Sequence, residues 1–254
     1  MTAGGLPLSP MRAKRGPRQQ HAGIVLAAGS GTRVGDSRNK VFLPLAGKRI
    51  VTRSLELFER IPDVGRLVLA VRATDLELAR EVLDAELPFA RVDLVVGGDT
   101  RHESEYRALS VLADEIRREE IDVVLIHDAA RPLTPVSVIR DVLAAAKRTG
   151  AAVPAIPLTD VAELRDDGDV VSGTRPTSLV GIQTPQAFWA GSLLDAYEAA
   201  AREGFTGTDT AACVERYGNL TVCTVPGHST NLKVTYANDL FVAERLLAES
   251  GHAL

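Results

Sequence analysis

Short apolar runs alternating with amphipathic stretches constrain this chain most. Runs rich in valine, isoleucine, leucine and alanine fall at 24–28, 67–71, 91–96, 123–127, 151–156 and 220–225. Between and after them, patterns of helical period occupy 50–60, 76–85, 103–118, 135–148, 190–203 and 237–248. Leu109, Leu112 and Ile116 mark one apolar stripe, and Leu55 with Phe58 marks another. Strands that are apolar throughout must be covered on both faces, and strands separated by helices run mainly parallel. The expected fold class is α/β: a mainly parallel sheet with helices on both faces. Ligands of such sheets bind beyond the carboxyl ends of the strands, so chemistry is sought in the residues that follow each apolar run.

A length of 254 residues suits one large domain or two small ones. The net charge of −4 argues against bulk nucleic-acid binding, and no apolar run approaches the length of a membrane span. Cys213 and Cys223 are too few for a disulfide framework and lack metal-ligand spacing; they read as small hydrophobes in a reducing, cytoplasmic setting. Residues 1–21 carry a basic cluster at Arg12, Lys14, Arg15 and Arg18 without the apolar core of a secretory signal, and read as a disordered tail before one domain over 22–254. Within that domain, 157–178 is polar and turn-rich. Asp167-Gly168 lies between alternating apolar residues (Val161 and Leu164, then Val170), which suggests a β-hairpin. It is either an ordinary surface loop or a projecting arm that packs on a second subunit.

The first apolar run leads into Ala27-Ala28-Gly29-Ser30-Gly31-Thr32-Arg33, and Lys40 follows seven residues later. Glycines at a strand end let backbone N–H groups approach a polyanion, and Arg33 and Lys40 supply full positive charge. The stretch matches neither the dinucleotide fingerprint nor a Walker loop. It reads either as a triphosphate cradle or as a tight connection.

Three further motifs also follow strands. Gly97-Gly98 precedes Arg101 and Ser104; the glycines permit close approach to a ring or phosphate, and Ser104 can bond a base or cap a helix. His127-Asp128-Ala129-Ala130-Arg131-Pro132 places a carboxylate at a strand end beside small residues and a guanidinium fork. That is either a ribose, ion and phosphate site or an Asp–Arg structural pair. His127 reads as a structural, hydrogen-bonded residue. Gln183-Thr184-Pro185-Gln186 offers a hydroxyl for phosphate before a proline that would stop a strand, and Lys233 offers another cation.

In order and spacing, these motifs resemble the family of cytidylyltransferases that join CMP to 2-C-methyl-D-erythritol 4-phosphate in non-mevalonate isoprenoid synthesis. The resemblance extends from about Gly23 to Leu247 and includes Asn39-Lys40, Thr208-Asp209 and Asn231-Leu232-Lys233-Val234-Thr235. It implies a Rossmann-like nucleotidyltransferase fold with a projecting β-arm, a homodimer made by exchanging arms, and Mg²⁺-dependent transfer from CTP with release of pyrophosphate. It also implies roles. Arg33, Lys40 and Lys233 are catalytic cations. Ala27, Ala28, Gly29, Ser30, Gly31, Thr32, Gly97, Gly98, Ser104, Asp128 and Ala129 bind the nucleotide. Asp128, Arg131, Val161, Arg175, Thr184 and Lys233 bind the acceptor, and Asp128 meets the metal.

The arm departs from the family pattern. Val161 stands where a threonine is usual, and Pro176 stands at the place of an arginine, with Arg175 one residue early. Glu105 replaces a frequent valine. With the arm altered, a related enzyme for another polyol phosphate, such as ribitol 5-phosphate, and a non-catalytic CTP-binding paralogue stand as alternatives.

Overall fold

The structure is a computed structural model that describes residues 20–29, 39–158, 179–207 and 209–249. Its central sheet has the order β10-β7-β9-β6-β1-β4-β5, with β8 paired to β7. β1 (Gln20–Leu26) lies between β4 (Val64–Val71) and β6 (Ile121–Asp128), parallel to both, and β5 (Val92–Val96) continues the parallel set. On the far side, β7 (Ala151–Pro157) runs parallel to β10 (Cys223–Pro226). β9 (Gln186–Trp189) is antiparallel to β6 and β7, and β8 (Val180–Ile182) is antiparallel to β7.

The alternation of side chains explains the two covered faces. From β1, Val25 enters one core while Ala22 and Ile24 enter the other; from β6, Val123 and Leu125 part from Val124 and Ile126 in the same way. The first face is covered by α1 (Ile50–Glu59), α2 (Leu76–Glu86) and α4 (Val136–Thr149). The second is covered by α3 (Arg101–Arg117), α5 (Ala190–Glu203) and α6 (Thr210–Tyr217). On α3, Ala108, Leu109, Leu112 and Ile116 form the buried stripe that the periodicity predicts. α4 ends where Gly150, at φ 92°, turns left-handed and returns its N–H to Ala146. The small hairpin of β2 (Pro44–Leu45) and β3 (Lys48–Arg49) packs near α7 (Ala237–Glu249), where Leu45, Ile50, Leu133, Val234 and Ala243 share a third core.

Several expectations change. Gln20 and His21, expected in the tail, already belong to β1: His21 is buried, and its N–H donates to Asp63 O at 2.8 Å. Pro185 separates two strands: β8 ends at Ile182 before it, and β9, unexpected from the sequence, starts at the next residue. α6 has no counterpart in the apolar reading; it is eight residues long and rests on Asp209, whose Oδ1 accepts from Ala212 N at 2.8 Å. The last strand is shifted to Cys223–Pro226 from the expected 220–225. The expected arm over 157–178 lies almost wholly outside the described residues. Its base is described: Pro157 pairs with Val180, and Leu158 N donates to Leu179 O at 2.9 Å.

Candidate active site

A cavity of about 780 Å³ opens at the carboxyl ends of β1, β4, β5 and β6. Ala27, Ala28 and Gly29 from the end of β1 form one edge, with Asn39 and Lys40 beside them. Asn39 ties the returning chain to the strand end, donating to Ala27 O at 2.6 Å and to Asp75 Oδ2 at 3.0 Å. Lys40 begins a single 3₁₀ turn whose other residues, Val41 and Phe42, are buried, so its backbone is anchored at the cavity. Ser30, Gly31, Thr32 and Arg33 lie outside the described residues.

A second wall is the turn from β5 into α3. Gly97 N donates to Val71 O at 2.8 Å, and Gly98 N donates to Ser104 Oγ at 3.0 Å. The buried Ser104 hydroxyl donates in turn to Thr100 O at 2.9 Å. The cap of α3 is Thr100, whose Oγ1 accepts from Glu103 N at 3.1 Å, so Ser104 is not the capping residue. A Cβ on Gly97 would lie 2.6 Å from Ala28 Cβ and 2.8 Å from Ser104 Oγ. Only glycine lets these walls approach so closely.

The third wall is charged. Asp128, at the end of β6, accepts from Arg101 Nη1 on Oδ1 and from Lys233 Nζ on Oδ2, the latter at 2.8 Å; Arg131 Nε lies 3.8 Å away. Burial opposes ionisation of Asp128, but Arg101 and Lys233 outweigh it and hold the carboxyl far below the usual range. Arg101 also feels burial, yet Asp128 and Glu105 raise its pKa further. Arg72 and Arg107 line the cavity too. Arg72 forms a two-pronged pair with Asp75, and Arg107 Nη1 donates to Gly97 O at 2.9 Å. The described lining carries five cations (Lys40, Arg72, Arg101, Arg107, Lys233) and two carboxylates (Asp99, Asp128), and Arg72, Arg107 and Arg101 also pair with Asp75, Glu103 and Glu105; exposed Lys233 can turn to a polyanion.

Not every expected residue reaches the cavity. Ala129 is fully buried in the core; its N donates to Leu26 O at 3.0 Å and its O accepts from Ser54 Oγ at 2.7 Å, while its neighbour Ala130 lines the cavity. Thr184 is buried behind the wall. Its hydroxyl accepts from Asp128 N at 3.0 Å and lies 3.0 Å from His127 Nδ1. His127 Nε2 lies 3.1 Å from Arg131 O, a carbonyl that can only accept, so the neutral ring carries its proton there and Nδ1 takes the Thr184 hydrogen. Burial pushes the His127 pKa down to about 4, in keeping with this structural role. Arg131 Nη1 donates to Asn231 O at 2.7 Å, tying the β6 end to the Lys233 segment. Val161 and Arg175 lie outside the described residues.

The sequence motifs include Asn39 only within Asn39-Lys40, with no role, and give Arg72, Arg107 and Glu105 no site role; Arg72 follows directly on a strand end, and that proximity is the signal it offers.

An α/β sheet with a glycine-walled, cation-rimmed cavity beyond its parallel strands fits a nucleotidyltransferase. The sequence model of the family "2-C-methyl-D-erythritol 4-phosphate cytidylyltransferase" matches residues 22–249, and the chain belongs to that family. A protein of that name from Symbiobacterium thermophilum is 39% identical over 227 residues, covering 89% of this chain and 92% of the relative. Another, from Solibacter usitatus, is 37% identical over 237 residues, covering 89% and 95%. The crystal structure of the protein of that name from Thermus thermophilus superposes with a TM-score of 0.70 at 29% identity, covering 91% of this chain and all of that one (100%).

Proposed function

We propose that the protein transfers CMP from CTP to 2-C-methyl-D-erythritol 4-phosphate and releases pyrophosphate. The observation that carries this reading is the cavity itself: a neutral glycine–serine wall faces a cationic wall at the ends of the parallel strands. In the proposed arrangement, Gly97, Gly98 and Ser104 take the base, and Ala27, Ala28 and Gly29, continuing into Ser30, Gly31 and Thr32, meet the triphosphate. Asp128 lies by the ribose.

The acceptor's phosphate oxygen attacks the α-phosphorus, and the bond to the pyrophosphate oxygen breaks. The phosphate monoester is largely ionised near neutral pH, so no general base is required. His127 agrees with this, since both ring nitrogens are engaged and its pKa is low. What the chain must supply is positive charge where negative charge grows. Lys40 and Arg33 serve the CTP side. Lys233, whose side chain is 45% exposed, can exchange Asp128 for a phosphate. Arg131 and Thr184 order the wall from behind.

Among the described residues no cluster of three His, Cys, Asp or Glu is placed to hold a metal ion. Both Asp128 oxygens face cations, so Asp128 would hold an ion such as Mg²⁺ once Lys233 leaves it for a phosphate. When bound, such an ion neutralises phosphate charge. The arm residues Val161 and Arg175 belong to the acceptor side in this reading, and the arm joins two subunits. Leu158, Leu179, Val180 and Ile182, exposed at its base, support a homodimer. No helix among the described residues is long and apolar enough to cross a membrane, which agrees with a cytoplasmic enzyme.

The test is pyrophosphate release from CTP and Mg²⁺ with 2-C-methyl-D-erythritol 4-phosphate or ribitol 5-phosphate offered separately. Release with the first alone is expected. Release with the second alone would move the protein to another polyol phosphate, and silence with both despite CTP binding would leave a nucleotide-binding protein without this activity.

A further inference from the structure

Glu105 stands one turn into α3 and is fully buried. Its Oε1 accepts from the Thr210 hydroxyl at 2.8 Å and lies 2.9 Å from Arg101 Nε; its Oε2 accepts from the Tyr197 hydroxyl. The Arg101 contact is an ion pair by distance but lacks the alignment of a hydrogen bond, and Nε has no other partner. The opposite edge of the same guanidinium holds Asp128 at the cavity. One arginine therefore spans two carboxylates, one in the core and one at the site.

The geometry makes Glu105 an anchor. A guanidinium is a rigid planar fork, so an anion fixed beside Nε determines where the Nη edge points. A buried carboxylate is costly unless it is paired, and here three elements contribute to satisfying it: Arg101 from α3, Tyr197 from α5 and Thr210 from α6. Tyr197 is itself fully buried and stacked on His102, with ring centroids 4.5 Å apart. Glu105 also offsets one of the three cations, Arg101, Arg131 and Lys233, gathered around Asp128.

We propose that Glu105 is a positioning residue for the nucleotide site, fixing Arg101 from inside the core and through it the Asp128 carboxylate. The proposal rests on the reading of the cavity as the CTP site. It ties the site to the α5–α6 corner, which lies outside the cavity.

The test is a double-mutant cycle of Glu105→Gln and Arg101→Lys, read on kcat/KM for CTP and on the CTP dissociation constant by calorimetry. Glu105→Gln alone should lower kcat/KM about tenfold, in line with other residues that orient a ligating group. In the Arg101→Lys background it should cost little more, because its target is already gone. Multiplying losses, or an unchanged Glu105→Gln enzyme, would overturn the proposal. A triple variant, Glu105→Val with Tyr197→Phe and Thr210→Val, guards against misfolding by leaving an apolar core with no orphaned hydroxyl. It should melt near the wild-type temperature yet keep the tenfold loss. Recovery of full kcat/KM in the triple variant would mean that Glu105 merely satisfies its buried neighbours. If wild-type protein binds CTP without turning over, the functional reading fails, while the same cycle on the dissociation constant still decides the role of Glu105.

Discussion

The two facing walls of the cavity are built from different physics. The Gly97–Ser104 wall is neutral: backbone amides, one hydroxyl and an absent side chain set its shape. The Asp128 wall is ionic: Arg101, Lys233 and Arg131 surround one carboxylate. Shape discriminates between ligands in the ground state, whereas fixed charge acts most where charge develops during reaction. Damage to the neutral wall should therefore appear in KM, and loss of cations at the cavity should appear in kcat.

The largest test removes a cation. Lys40→Ala should lower kcat by about 10²–10³-fold with a much smaller change in CTP affinity, as expected for a group stabilising transition-state charge. Equal losses in single-turnover rate and in CTP affinity would place Lys40, on the edge beside Gly29, in ground-state binding and break the rule that fixed charge at the cavity acts in kcat. Gly97→Ala attacks the neutral wall. With Ala28 and Ser104 both inside contact distance of the new methyl, KM for CTP should rise by roughly tenfold while kcat holds. A fall in kcat alone would show that the turn does more than shape the pocket.

The third test lies behind the ionic wall. His127 has its pKa lowered by burial to about 4 from 6.5, so the folded state binds fewer protons than the unfolded state between those values. Its contribution is fully present above pH 6.5 and is lost as pH falls toward 4, a difference of roughly 3 kcal/mol. Glu105, raised by burial against Arg101, slopes the opposite way above its ordinary value, so the comparison must be made between variants. Thermal melts from pH 7 to 4 should fall more steeply for wild type than for His127→Gln; parallel curves would remove His127 from the account. The smallest effect is expected at the arm. Val161→Thr should improve kcat/KM for 2-C-methyl-D-erythritol 4-phosphate by a few-fold, the worth of about one added hydrogen bond. A loss would point to a different acceptor.

The walls also differed in how far they could be read from sequence. Gly97, Gly98 and Ser104 are close in sequence and follow an apolar run, so a strand-end argument found them. The ionic wall joins residues far apart: Arg101 meets Asp128 across 27 positions, and Lys233 comes from the far end of the chain. Motif order could suggest Asp128 and Lys233 but not their pairing. Glu105 stands out in the sequence as a replacement for a frequent valine; that it is fully buried against Tyr197 and Thr210 was not legible, because they arrive from elements that local periodicity cannot relate to it. The parallel strands were legible because apolar runs tolerate burial on both faces. β9, four residues long behind a proline, and α6, eight residues long, were too short to show a period.

The clamp at the foot of the arm has a consequence for how this chain can evolve. β7 and β8 close the excursion between Leu158 and Leu179 with a short ladder, so the ends of that segment are held whatever its sequence. The entropic cost of lengthening a closed loop grows only logarithmically, and substitutions beyond the clamp leave the strand that buttresses Asp128 in register. In the proposed reading, substitutions at Val161 and Arg175 can therefore retune an acceptor or subunit contact while the described frame around the cavity keeps its geometry.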